Sequence, residues 1–311
     1  MLLNPEVLTL LILDFVFAFF GIIAFILSVK IFLKWDLSST SESQYRLEKQ
    51  AFLASTIIKY IFLIKVPLFL FFVFTLDKIA DVLVGAMCGA GVVDASGYGI
   101  YLLLLKILNI YIFAFWLTLH FNDMKKEQQP YTRLKFGVFI PIFFLFMAEL
   151  IVEYFMFSDI DIHQMVDCCG TLYSNSSASY ISVLFKINTV FLVGLFYGTY
   201  IAMFLSYLYK KRYIFSFLNV LFLFISIVSL IMFFGTYIYE LPTHHCPFCF
   251  LQKDYNYVGY LIYVLLFVGT FNGIVCMFLD RFKTSLYFNS LYVVLVSSYV
   301  VVYYLKNGVL L

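Results

Sequence analysis

The stretch that decides the fold is "MLLNPEVLTLLILDFVFAFF", residues 1–20. It is apolar almost throughout. It lacks the basic start and the small-residue cleavage site of a signal peptide, so it reads as a retained first membrane span. The rest of the chain repeats that character. Of 311 residues, 64% are hydrophobic and 12% are charged, against roughly 25% charged in soluble domains. A core of this size cannot hide so much apolar surface, so the solvent is lipid. A net charge of +2 gives no case for nucleic acid as a partner.

A helix needs about 20 mostly apolar residues to cross a bilayer. Runs of that kind lie at about 7–33, 51–76, 99–122, 136–157, 180–209, 213–238, 258–279 and 286–305. Isolated strands would leave backbone groups unsatisfied in lipid. The expected fold is therefore all-α, a polytopic bundle of about eight transmembrane helices. Residues 1–311 are expected to form a single integral-membrane domain, because no connection is long enough for a separate soluble one.

Loop charge sets the orientation. The connections at 34–50, 123–135, 210–212 and 280–285 hold twelve Lys or Arg. The alternate ones, 77–98, 158–179 and 239–257, hold only Lys78 and Lys253, against eight Asp or Glu. Positive loops stay in the cytoplasm, which places both termini outside. The expected location is a bacterial inner membrane.

Five of the six cysteines fall in the connections assigned to the outer side: Cys88, Cys168, Cys169, Cys246 and Cys249. The sixth, Cys276, lies in the seventh span and reads as a buried structural thiol. The outer face of such a membrane is the oxidising one. Three uses of these thiols compete. Disulfides would staple short loops, as in a structural subunit of a membrane complex. Thiol–disulfide exchange would use the C-x-x-C of "HHCPFCFLQK", residues 244–253, in which one thiolate attacks a disulfide and the other resolves it. An imidazolium at His244 or His245, and the start of the seventh span, would lower the pKa of the attacking thiol. Finally, His244, His245, Cys246 and Cys249 would offer ligands to copper or zinc.

The residues "CPFCFLQK" resemble the disulfide-bond-formation B family of membrane thiol oxidases, whose pattern is C-x-x-C-x-x-Q/E-R/K at the outer end of a membrane helix. The resemblance implies that Cys246 and Cys249 pass electrons to a quinone, with Gln252 and Lys253 at the matching positions and Lys253 beside the quinone. It also implies a second cysteine pair, Cys88 with Cys168 or Cys169, that meets an extracytoplasmic thiol protein. The leading expectation is thus a quinone-linked thiol–disulfide oxidoreductase. A metal-handling protein or transporter is the alternative.

The spans also carry charge. Asp14, Lys65, Lys106, Glu149, Glu153 and Lys186 fall at similar depths in the outer half of the bilayer. Each would cost roughly 2.5–3.5 kcal/mol at its centre. Opposite signs at one level predict pairing, although Lys106, Lys186 and Glu153 are shallow enough to snorkel. Lys65 and Glu149 are the deepest, and they predict a polar cavity for a quinone head group, an anionic substrate or an ion.

Overall fold

The computed structural model describes residues 1–36, 39, 41–127, 129–162, 165–166 and 188–311. Within them the secondary structure is helical, and eight helices are long and apolar enough to cross a membrane. They are α1 (Pro5–Lys34), α2 (Glu42–Ala80), α4 (Gly99–Met124), α5 (Thr132–Asp159), α6 (Thr189–Leu208), α7 (Arg212–Tyr239), α8 (Val258–Val275) and α9 (Phe282–Asn307). A short helix, α3 (Gly89–Asp94), precedes α4.

Local chemistry sets the helix starts. Asn4 caps α1 by accepting from the backbone N–H groups of Glu6 and Val7, with Pro5 opening the helix, where its missing N–H costs nothing. Ser41 caps α2 through Gln44 N–H, so that helix begins at Glu42 rather than near 51. Its polar first turns extend the apolar span. Asn188 caps α6. The expected start near 180 falls outside the described residues.

The chain divides into two compact units. The first is Met1–Val84 with Val92–Met165. The second is Gly85–Gly91 with Val166–Leu311. In the first unit α1 packs on α2 and α5, and α4 packs on the same two helices. Its core is aromatic. Phe62 stacks on Phe113 with ring centroids 4.2 Å apart, and Trp116 meets Phe62 edge-on. At one end, buried Lys135 pairs with Asp123 at 2.7 Å and closes the α4–α5 turn.

In the second unit α7 packs on α6 and α8, and α8 packs on α9. Polar side chains join these helices. Asn219 Oδ1 accepts from Ser285 Oγ at 3.2 Å and from Asn289 Nδ2 at 2.9 Å. Ser216 donates to the Gly273 carbonyl at 2.9 Å. A Cβ on Gly273 would fall on the Asn219 amide, so the close approach of α7 and α8 requires glycine there. Small residues at contacts and hydrogen bonds between helices are how membrane helices associate when lipid removes the hydrophobic drive. The outer faces are apolar: Phe15, Phe52, Val190 and Phe217 are all exposed, as lipid-facing residues are.

Candidate functional site

The chemistry-bearing cluster lies in the second unit. Cys88, Cys246 and Cys249 bring their sulfurs within 4.8 Å of one another, and all three are buried. Cys88 Sγ is 3.5 Å from Cys246 Sγ. Cys276 is also buried.

The cluster is assembled from two stretches. Cys246 and Cys249 sit on a tight turn after α7, with Cys249–Leu251 in a short 3-10 helix. Two tyrosines hold this turn. Tyr239, at the end of α7, donates its hydroxyl to the Cys246 carbonyl and accepts from Phe250 N–H at 3.1 Å. Tyr263 on α8 donates to the Pro247 carbonyl at 2.8 Å. The Phe248 N–H points at Cys246 Sγ at 3.4 Å, which favours negative charge on that sulfur. Segment 85–91 supplies Cys88. Gln252 Nε2 donates to the Met87 carbonyl at 2.9 Å, tying that segment to the C-x-x-C turn. Gly85 has φ +94°, and a Cβ there would strike the Val166 backbone carbonyl, so only glycine lets the chain lie this way.

The neighbouring histidines are placed differently from the sequence expectation. His245 Nδ1 lies 3.0 Å from the Ile231 carbonyl. A carbonyl only accepts, so Nδ1 carries the proton. Burial holds the His245 imidazole below its ordinary pKa. His244 acts in the same sense, and the Ile231 carbonyl opposes both. Ile231 belongs to a π-helical segment of α7, Leu230–Phe234, a distortion that recurs at functional sites. The His244 ring stands edge-on to Tyr239, and its Nε2 is buried without a hydrogen-bond partner among the described residues. Neither histidine joins the group of mutually close ligand atoms; Cys88 does.

Of the two devices expected to activate a redox thiol, one is differently arranged: His245 is turned to a backbone carbonyl. Helix α8 begins at Val258, where the seventh span was expected, one short 3-10 turn (Lys253–Tyr255) past the motif. Lys253 is exposed, and Gln252 is occupied with Met87. Cys168 and Cys169, the expected partners of Cys88, lie outside the described residues, as does Lys186.

Lys65 and Glu149 belong to the first unit and pair with each other at 3.0 Å. Lys106 and Glu153 do not snorkel. They are buried in the same network, with Lys106 Nζ 3.0 Å from Glu149 and 2.6 Å from Glu153. The space left beside Lys65, Lys106 and Glu149 is about 10 Å³, roughly one water's worth. Lys65 and Lys106 both donate to Glu149 beside that space. Sequence reasoning missed the two tyrosines that fix the C-x-x-C turn. The one available signal was a tyrosine on each side of the motif, at the ends of adjoining spans. Comparison with known proteins gives no match to a family, to a curated protein or to a solved structure.

Proposed function

We propose that this multi-pass membrane protein handles a soft metal ion, copper(I) first, held on the thiolates of Cys88, Cys246 and Cys249. One observation carries the reading: among the described residues, three buried sulfurs lie within 4.8 Å of one another, with no histidine nitrogen in the group. Thiolates select copper(I) and zinc. Zinc in structural sites takes four ligands, whereas a three-sulfur set suits copper(I). A cation would offset part of the charge of thiolates in a buried site. Burial also restricts attack by a soluble protein's disulfide, which weighs against exchange with a folded partner. The charge pattern of the connections supports an extracytoplasmic position for the cluster.

A second reading has its own support in the 3.5 Å approach of Cys88 to Cys246 and in the CPFCFLQK pattern. Cys246 and Cys249 would lose two protons and two electrons to a quinone, giving a disulfide and the quinol. The Cys88 thiolate would then attack the Cys246 sulfur and release Cys249 as a thiolate.

Metal analysis of the full chain purified in detergent without chelator tests the two. Copper near one equivalent, lost in Cys88→Ser and Cys249→Ser, supports the metal reading. Metal-free protein that fails to take up copper(I), but whose thiols become unreactive to maleimide when quinone is added, overturns it and supports the redox reading.

A further inference from the structure

The buried network of the first unit contains three carboxyl groups and two ammonium groups. Asp14 comes from α1, Lys65 from α2, Lys106 from α4, and Glu149 and Glu153 from α5. All five are at most 5% exposed. Fully ionised, they would leave one negative charge uncompensated inside an apolar bundle, which is prohibitively costly.

The hydrogen bonds show where that charge is answered. Glu149 is fully served: Oε1 accepts from Lys65 and Lys106, each at 3.0 Å, and Oε2 accepts from Asn109 at 2.6 Å. Asp14 Oδ1 accepts from Lys65 at 2.7 Å, and Glu153 Oε2 accepts from Lys106 at 2.6 Å. The remaining oxygen of each, Asp14 Oδ2 and Glu153 Oε1, is buried without a partner among the described residues. Each of these acids is joined to Glu149 through one lysine, Asp14 through Lys65 and Glu153 through Lys106.

We infer that Asp14 and Glu153 together bind one proton, a carboxylic acid donating to a carboxylate across the α1–α5 contact. That proton cancels the surplus charge and gives both orphaned oxygens a partner. A neutral lysine would enlarge the deficit. A metal cation is disfavoured, because the small space beside the network is lined by Lys65 and Lys106. The charged groups facing the pair are Lys65, Lys106 and Glu149, with Asn109 neutral. This site is independent of the cysteine cluster. Ionisable residues inside membrane bundles commonly form proton relays, and here one exchangeable proton has two named holders.

Infrared spectroscopy of the full chain in detergent at neutral pH tests this. The expected result is a protonated-carboxyl C=O band that shifts in D2O. The band should disappear in both Asp14→Asn and Glu153→Gln, because each substitution leaves two carboxylates facing two ammonium groups. Both variants should melt close to the parent. Absence of the band from the parent, or its persistence in either single variant, overturns the assignment. Since the band is read on folded protein, confirmed by circular dichroism, a variant that merely misfolds is set aside and the other decides.

Discussion

Replacing Lys106 with Met gives the sharpest test of the buried network. Met keeps most of the aliphatic volume that packs near the Phe72 ring, which lies 4.5 Å below the ammonium. What disappears is the donor to Glu149 at 3.0 Å and to Glu153 at 2.6 Å. Breaking one side of a buried pair costs about 3–5 kcal/mol, because a charge is left unpaired. The chain can limit that cost by taking up one more proton. Neutralising a carboxyl of ordinary value about 4.3 at pH 7 costs roughly 3.7 kcal/mol, at 1.36 kcal/mol per pH unit. The loss should therefore be close to that figure at pH 7. The folded variant would bind a proton that the unfolded chain does not, so its stability falls as pH rises. The deficit relative to the parent should shrink to about 1.6 kcal/mol at pH 5.5, by the same conversion. Reversible unfolding in mixed detergent, followed by circular dichroism between pH 5.5 and 8, measures it. A variant as stable as the parent at pH 7, or one whose deficit does not change with pH, would refute the reasoning.

Two further perturbations address the second unit. Asn219→Ala removes the acceptor shared by Ser285 and Asn289. At an average of about 0.6 and a maximum of about 1.7 kcal/mol per membrane hydrogen bond, it should cost about 1–3 kcal/mol in the same assay. Gly85→Ala forces a side chain into a left-handed backbone against the Val166 carbonyl, a strain of order 1–3 kcal/mol. It should weaken copper(I) retention against a competing chelator while leaving Cys246 and Cys249 in place; unchanged retention would mean that Cys88 does not depend on this turn.

The fold was legible because lipid imposes a simple rule on long apolar segments. Each of the eight expected runs overlaps a helix, and the differences sit at ends set by single caps such as Ser41 and Asn188. The ion pairs were legible in outline, since charges of opposite sign at one depth must meet. Their exact pairing was not, because it depends on helix rotation and on Asn109, a neutral side chain with no signature of its own. Cys246 and Cys249 announce themselves by spacing. The arrival of Cys88 beside them does not, because it depends on how segment 85–91 folds, and that follows from Gly85 and from Gln252 holding the Met87 carbonyl. The division into two units was also hidden, because apolar runs carry no label for which neighbour they will choose.

The placement of Cys88 also bears on what the cluster can do. A C-x-x-C turn alone offers two sulfurs, enough for a disulfide but few for a metal. The third sulfur comes from a segment whose flanking residues, through Val84 and from Val92, belong to the first unit, while Gly85–Gly91 belongs to the second. Any change that displaces that segment would remove one of three ligands while the two tyrosine-held cysteines stay fixed. A three-sulfur copper(I) site would then become a weaker two-sulfur site. On the proposed copper(I) reading, the affinity of the cluster would then depend on the position of one short loop as well as on the tyrosine-held turn.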